Sequence, residues 1–339
     1  MEKICIIGLY FGKVPQDFEL WLNSCKMNKT IDFLVFGDFK WDSFPANVRY
    51  IPSSLDDIWA LIQGKLKISI KNFEAYKLCD FKPAYGIIFD EYVKGYDYWG
   101  HCDFDMIFGD IRKFCDLYEL NKYNKFLPLG HLCFYKVGVT EPLIWQETGY
   151  DKNAIEIFQS SKNCLFDEIG VNGIYYRMGN YFDNIIFADI RPDLKMFKEV
   201  DNLSYYQKIY NDYKKSVKKI NNKYQVFYKE DIGIYKAYVE KKDVKCREYM
   251  YIHMQKRNKI QYDQTIIQNG SFYICDGKLI PKTDTPLGVK NVKYLTKYRY
   301  RVIYDEFVSF TKRLRRFMKK KLGMRLDDNI EIPKLRDMG

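Results

Sequence analysis

The sequence predicts an α/β fold with a mainly parallel sheet flanked by helices. Apolar runs of strand length alternate with helical patterns over the first 110 of its 339 residues. This alternation is typical of an α/β sheet with mainly parallel strands. Apolar residues make up 47% of the chain, which is enough to bury a large core in one large domain, or in a domain with a substantial appendage.

The regular elements lie in the first part of the chain. The run KICIIGLYFG is apolar and closed by glycine, which predicts a buried first strand at residues 3–12. Phe18, Leu22 and Cys25 then follow at roughly helical spacing. The other elements predicted here are strands at 31–38, 48–54 and 96–105 and helices at 55–68 and 73–93, the second of them interrupted at Pro83.

The rest of the chain is less regular. The predicted elements are a strand at 126–137, a helix at 165–178, a helical excursion at 193–230, a strand or strand end at 247–257, a hairpin at 270–281 and a long helix at 298–322. No internal repeat or low-complexity linker divides the chain. We therefore predict one main domain at residues 1–285 and a basic, helical C-terminal extension at residues 286–339.

Charge and cysteine content limit the classes of function. The net charge is +11, but residues 290–339 alone carry 15 basic and 6 acidic side chains, so the body is close to neutral. A body that binds nucleic acid would more often present a basic face. The nine cysteines include no CxxC pair, which favours reduced thiols over a disulfide framework or a zinc site. With neither a signal peptide nor a transmembrane helix expected, we predict a cytoplasmic protein.

Two aspartates follow the strand predicted at 96–105, and ligands of open α/β sheets bind beyond such strand ends. The spacing of Asp103 and Asp105 would place both carboxylates on one side of a strand and Phe104 on the other. Neighbouring carboxylates repel each other unless a cation joins them. Mn²⁺ or Mg²⁺ prefers oxygen ligands and keeps positions open for phosphates, so we predict a metal site for a nucleotide diphosphate. A chance match in a solvated turn is the alternative.

The three histidines all lie in apolar segments that contain glycine or an acid. An imidazole can complete a Mn²⁺ shell that two aspartates begin, and His253 is the candidate. Lys256 follows it and could hold a phosphate as a point charge. For His101 we predict structural support of the loop.

The segments KLCDFKPAYGIIFDEY and YDYWGHCDFDMIFGDI resemble a bacterial GT-A-fold glycosyltransferase family with a WGHCDxD signature. They resemble more distantly the DxD sugar transferases, namely the family-eight galactosyltransferases and the clostridial toxin glucosyltransferases. The resemblance implies a GT-A-type, Rossmann-like mixed sheet with a helical insertion and a C-terminal amphipathic helix. It also implies metal-dependent transfer of a hexose from a nucleotide-sugar, with a UDP-sugar as the expected donor.

The resemblance also implies roles for individual residues. In such enzymes the donor contacts would come from Gly8, Tyr10, Phe11, Asp80, Lys82, Asp103 and Lys256. The metal ligands would be Asp103, Asp105 and His253. The reaction centre and acceptor side would be lined by Asp167, Glu168 and Asn172. Gly130, His131 and the tyrosines of residues 175–181 are further candidates for the acceptor side, although core packing would explain them as well. The lysine two positions after Asp80 and the residues after His253 depart from the family pattern, so the donor sugar and the stereochemistry stay open.

Asp167 or Glu168 would stabilise an oxocarbenium-like transition state. As a base, the carboxylate would deprotonate the acceptor, and the product would be inverted. On the opposite face of the sugar, it would assist a retaining reaction. Alternatively, both acids begin a helix and complement its macrodipole.

The C-terminal segment FVSFTKRLRRFMKKKLGMRL has an apolar stripe at Phe307, Phe310, Leu314 and Phe317, with seven cations between residues 312 and 321. Such a helix suits an anionic membrane surface. We therefore expect a peripheral enzyme on the inner face of the plasma membrane that acts on a glycan or lipid-linked acceptor. The alternative is a helix packed on the body with a solvated basic face.

Two functions from other classes compete with the transferase. The positive charge and the aromatic residues would also suit a nucleic-acid-binding or RNA-modifying protein, but the acids lie at the predicted cleft and the cations at the far end of the chain. The other alternative is a non-catalytic, GT-A-like binding protein. For the transferase, the resemblance implies a place in bacterial surface polysaccharide biosynthesis.

Overall fold

A computed structural model describes residues 1–15, 17–71, 74–145, 152–168, 178–182, 184–190, 222–254, 260–275 and 278–296. The strands in these residues are β1 (Ile4–Tyr10), β2 (Ile31–Gly37), β3 (Val48–Pro52), β4 (Tyr98–Cys102), β5 (Met106–Phe108), β6 (Lys125–Phe126), β7 (Leu132–Lys136), β8 (Tyr181–Phe182), β9 (Ala188–Ile190), β10 (Gln225–Glu230), β11 (Gly233–Glu240), β12 (Asp243–Tyr249), β13 (Tyr251–Met254), β14 (Phe272–Cys275) and β15 (Lys278–Pro281).

The α-helices in the same residues are α1 (Phe18–Met27), α2 (Leu55–Leu66), α3 (Tyr85–Ile88), α4 (Asp90–Val93), α5 (Ile111–Leu117), α6 (Ala154–Gln159), α7 (Gln264–Gln268) and α8 (Val289–Thr296). Short 3-10 helices span Ala75–Ala84, Leu120–Lys122 and Pro142–Trp145.

A central sheet has the strand order β3-β2-β1-β4-β7-β6-β8 in the described residues. Strands β1 to β4 run parallel, and β7 enters antiparallel to β4. Along β1, Ile4 and Ile6 pack into one apolar core while Cys5 and Ile7 pack into the other. A strand buried on both faces reads as a continuous apolar run, so the mixed, mainly parallel α/β sheet is confirmed.

Helices cover both faces of this sheet. Trp21 and Cys25 of α1 belong to the same core as Ile4 and Ile6, whereas Trp59 and Ile62 of α2 belong to the other. A capping box begins α2: the Ser54 side chain accepts from the backbone N–H of Asp57, and the Asp57 side chain accepts from that of Ser54. This exchange satisfies donors that a helix start leaves unpaired.

The helix predicted at 73–93, with an interruption at Pro83, is a 3-10 helix at Ala75–Ala84 followed by two short α-helices. The 3-10 helix has three residues per turn, so side chains three positions apart lie above one another. Lys77 and Asp80 form an ion pair in this way, at 2.6 Å between Nζ and Oδ2. Pro83 also removes one backbone donor near its end.

Two other predicted helices differ from the structure. Residues 165–168 form a turn in which Leu165 has a φ of 57°, a left-handed conformation that a helix does not contain. Residues 225–230, placed in a helical excursion, are strand β10, which pairs with β11 and β14. Residues 169–177 and 191–221 lie outside the described part of the chain.

Two smaller sheets complete the described structure. One is antiparallel with the order β12-β11-β10-β14-β15, and it contains the predicted hairpin β14–β15. The other has the order β5-β13-β9. Since β5 directly follows Asp105 and β13 contains His253, this three-stranded sheet joins two distant parts of the sequence.

Helix α8 packs Val292 against the antiparallel sheet. Residues 297–339, with the predicted amphipathic helix, lie outside the described part of the chain. Among the described helices, none combines the length and apolar character that crossing a membrane would require.

Candidate active site

Asp103 and Asp105 lie on a bend between β4 and β5. The strand predicted at 96–105 ends at Cys102, so the two acids do not share a strand. The backbone N–H of Asp103 donates to the carbonyl of His131 at 2.9 Å, and the carbonyl of Asp105 accepts from the N–H of Met254 at 2.7 Å. These hydrogen bonds fix both ends of the bend.

Phe104 anchors the bend in the core. Its side chain is buried, and a Cβ placed on Gly8 would lie 2.7 Å from its ring. Gly8, predicted as a donor contact, therefore makes room for Phe104. Tyr10 packs edge-on against the same ring, with 5.5 Å between the centroids, and its hydroxyl donates to the carbonyl of Lys13. The donor-binding roles of Gly8, Tyr10 and Phe11 stay predictions.

The structure brings Asp103, Asp105 and His253 together. A ligand atom from each lies within 4.8 Å of the others. The side chains of Asp105 and His253 are mostly buried, whereas that of Asp103 is 30% exposed. Two carboxylates and an imidazole form a donor set that suits Mn²⁺ or Mg²⁺. The residues present therefore fit a divalent cation.

Asp189 is a site residue that the sequence analysis missed. It faces His253 across the parallel pair of β9 and β13, and its Oδ1 lies 2.9 Å from His253 Nδ1. The other ring nitrogen, Nε2, lies 3.5 Å from Asp105 Oδ1. An acid at the end of the apolar run IIFA was the available signal, the same pattern that identified Asp103.

The protonation of His253 follows from these two acids. Burial lowers the pKa of His253, but the nearby carboxylates of Asp105 and Asp189 outweigh burial and raise that pKa to about 10. A cation at Nε2 would replace the proton there.

Lys82 lies between Asp103 and a second acid, Asp167. Its ammonium lies 2.8 Å from Asp103 Oδ1 and 3.0 Å from Asp167 Oδ2, and it donates to the carbonyl of Gly130 at 2.9 Å. Burial lowers the pKa of Lys82, but Asp103 and Asp167 outweigh it and hold that pKa well above its usual value. A charged lysine thus lies between the two acidic groups.

Asp167, which precedes Glu168 in the chain, packs against the backbone of Gly130. A Cβ on Gly130 would lie 2.5 Å from Asp167 Oδ2, so the close approach requires glycine. Burial raises the pKa of Asp167, and Lys82 opposes that rise. Burial and then the charge of Asp167 raise the pKa of Glu168 to about 7. Glu168 Oε2 is buried, with no hydrogen-bond partner among the described residues.

Asp80, predicted to contact the donor, supports the loop before Asp167. It is fully buried, and its carboxylate accepts from Lys77 at 2.6 Å and from the backbone N–H groups of Cys164 and Phe166 at 2.8 and 3.0 Å. These contacts position the loop, and a donor contact for Asp80 stays a prediction.

The other two histidines are buried and neutral. The His131 ring stacks on that of His253, with 4.3 Å between centroids, and its Nδ1 lies 3.1 Å from the Tyr251 hydroxyl. Burial lowers the pKa of both His131 and His101 well below the usual value. His101 lies 3.4 Å from the Tyr135 hydroxyl within the core. Asn172 and Lys256 lie outside the described part of the chain.

Several solved structures are similar to this chain. The galactosyltransferase LgtC, in complex with donor and acceptor sugar analogs, is 12% identical with a TM-score of 0.31, over 56% of this chain and 76% of that one. Mouse xyloside xylosyltransferase 1, in its apo form, is 6% identical with a TM-score of 0.40, over 76% and 99%. A glycosyltransferase involved in glycosylation of the major capsid of PBCV-1 is 10% identical with a TM-score of 0.30, over 55% and 85%.

No curated protein matches the sequence. The model of one protein family matches residues 6–283, which is most of the chain, and the protein therefore belongs to DUF6625, a family of unknown function.

Proposed function

We propose that the protein is a metal-dependent glycosyltransferase that moves a hexose from a nucleotide-sugar, with a UDP-sugar as the expected donor, to a glycan or lipid-linked acceptor. One observation carries the proposal. Asp103, Asp105 and His253 converge beyond the end of β4, and Lys82 connects Asp103 to Asp167. A cation that neutralises the diphosphate and a carboxylate near the anomeric carbon both assist the transfer of a sugar from a nucleotide.

The metal ligands would be Asp103, Asp105 and His253. A bound Mn²⁺ or Mg²⁺ would neutralise the diphosphate and stabilise it as a leaving group. Lys256 is proposed to add a second positive charge to the diphosphate. Lys82 keeps Asp103 and Asp167 at a fixed separation through its two ion pairs.

Glu168 is the candidate proton acceptor. The acceptor hydroxyl oxygen forms a bond to the anomeric carbon, the bond from that carbon to the diphosphate breaks, and the hydroxyl proton passes to Glu168. Its pKa of about 7 suits this role near neutral pH. Asp167 would stabilise the positive charge that develops on the sugar. If these carboxylates instead lie on the face of the sugar opposite the acceptor, they would assist a reaction that retains the configuration of the anomeric carbon.

The first test is ligand-dependent thermal stability. A ligand that binds only the folded protein raises the unfolding temperature. We expect UDP and Mn²⁺ together to raise it well beyond either alone. No shift with both ligands would contradict the proposal, whereas a shift without hydrolysis of any nucleotide-sugar in a screen would identify a binding protein.

The second test removes a metal ligand. Asp105→Ala should abolish metal-dependent UDP-sugar hydrolysis while the fold is retained, as circular dichroism would verify. Asp116→Ala, at an exposed position of α5, is the control and should keep full activity. Full turnover in Asp105→Ala would show that the metal assignment is wrong.

The proposal includes a location. The basic, amphipathic segment from Phe307 supports peripheral attachment to the inner face of the plasma membrane, where lipid-linked acceptors for surface polysaccharide are available. The acids at the proposed site disfavour a nucleic acid as its partner.

A further inference from the structure

We infer that Asp189 is a positioning residue that holds His253 in the tautomer and orientation needed to bind a divalent cation. The inference rests on the metal site of the proposed function and adds a residue to it. Asp189 itself is not expected to touch the cation or the substrate.

The hydrogen bond assigns the tautomer. Asp189 is buried, and its Oδ1 lies 2.9 Å from Nδ1 of His253. An ionised carboxylate only accepts hydrogen bonds, so Nδ1 carries the proton. The proton that a cation would replace is therefore the one on Nε2, the nitrogen that lies 3.5 Å from Asp105 Oδ1. The ring thereby presents its ligand atom to the two aspartates.

The backbone makes this contact rigid. Asp189 and His253 are paired residues of β9 and β13, which run parallel, and His253 is also paired with Met106 of β5. Strands on both sides therefore fix the position of His253. The N–H of the next residue, Met254, donates to the carbonyl of Asp105, so one strand carries the histidine and holds the aspartate.

A second group restrains the face of the ring. His131 stacks on His253 at an interplanar angle of 16°, and the Tyr251 hydroxyl holds His131 through Nδ1. The imidazole of His253 is thus fixed at one edge by Asp189 and on one face by His131. A metal-binding histidine whose other nitrogen donates to a carboxylate is an arrangement that orients the ligand and raises its basicity.

The test is Mn²⁺ binding in the absence of nucleotide, measured from the electron paramagnetic resonance signal of free Mn²⁺. Asp189→Asn keeps the side-chain volume but loses the charge and the fixed acceptor. We expect its dissociation constant for Mn²⁺ to rise about 10- to 100-fold. Asp32→Asn is the matched control, since Asp32 is an exposed carboxylate bonded to the Tyr96 hydroxyl, and its affinity should equal that of the wild type.

The ¹⁵N spectrum of the ring provides a readout that does not depend on a variant. The chain has three histidines, so His253→Gln assigns the signal of His253. In the wild type saturated with Mg²⁺, we expect the proton of His253 on Nδ1. A proton on Nε2 would overturn the inference, even if Asp189→Asn does not fold.

The outcomes separate this inference from the proposed function. If the wild type binds Mn²⁺ and Asp189→Asn binds it equally well, Asp189 has no positioning role, and the metal site stands. If the wild type binds neither Mn²⁺ nor Mg²⁺, the metal site itself is wrong, and the role of Asp189 is wrong with it.

Discussion

The carboxylate of Asp167 lies against the backbone of Gly130, where the absence of a side chain leaves it room. Gly130→Ala would place a Cβ 2.5 Å from Oδ2 and 2.7 Å from Cγ of Asp167, so the carboxylate must move and its 3.0 Å contact with Lys82 is disturbed. Because a displacement of about 1 Å in an active site can cost about 100-fold in rate, we expect kcat for nucleotide-sugar hydrolysis to fall by about that factor.

Gly64→Ala is the control for this substitution. Gly64 lies at an exposed position of α2, and a Cβ there would meet no atom within 4 Å. Alanine within a helix is more stable than glycine by about 0.5–1 kcal/mol, so this variant should be slightly stabilised and fully active. Wild-type turnover in Gly130→Ala would show that the position of Asp167 does not matter for the reaction.

The proposed general base, Glu168, has a pKa of about 7, and this value predicts how the rate depends on pH. A general base acts only when deprotonated, so kcat/KM should rise with pH up to about 7 and stay level above it. Glu168→Gln should remove this rise and lower kcat/KM by about 100- to 10,000-fold.

The control for this prediction is Glu240→Gln, at the exposed end of β11, which should keep the wild-type profile. An unchanged pH dependence in Glu168→Gln would assign the titrating group to another residue.

At the scale of elements, Asp80 joins the 3-10 helix at 75–84 to the loop that carries Asp167. Asp80→Asn would remove the carboxylate that forms an ion pair with the buried ammonium of Lys77. Removing one partner of a buried ion pair costs about 3–5 kcal/mol, so we expect a loss of that size in the free energy of unfolding, measured with urea.

An exposed pair gives the comparison for Asp80. Asp90 lies 2.5 Å from Lys65, and its side chain is 53% exposed. Asp90→Asn should therefore cost less than about 1 kcal/mol. Equal losses in the two variants would mean that the buried pair does not support the loop.

The elements that the sequence predicted correctly have local signals. β1 is an uninterrupted apolar run, β2 is an apolar run broken only by Asp32, and α2 has both a capping box and helical spacing. The 3-10 conformation of residues 75–84 and the turn at 165–168 were not predicted, because their backbone follows tertiary contacts. The carboxylate of Asp80 accepts hydrogen bonds from the backbone N–H groups of Cys164 and Phe166. No spacing in the sequence indicates such a contact.

At the scale of the whole molecule, sequence spacing indicated Asp103 and Asp105, and both the apolar segment around His253 and the resemblance indicated that histidine. Their convergence depends on the pairing of β5 with β13, which lie far apart in the chain. Asp189 was missed for the same reason: it belongs to the site only because β9 pairs with β13, the strand that carries His253. Long-range strand pairing, which periodicity does not show, is what completes the candidate site.

The basic C-terminal segment predicts that the protein attaches to an anionic membrane surface. Deleting residues 307–339 should abolish sedimentation with vesicles containing anionic lipid and leave Mn²⁺ binding unchanged. Near an anionic surface each basic residue contributes about 1 kcal/mol. Replacing Lys319, Lys320 and Lys321 with glutamine should therefore weaken binding by about two orders of magnitude, and added salt should weaken the wild type likewise.

Neutral vesicles are the control, and the wild type should bind them far more weakly than anionic ones. If the truncated protein sediments with anionic vesicles as well as the wild type does, the segment is not a membrane anchor. The enzyme would then have to meet its acceptor without membrane attachment through this segment.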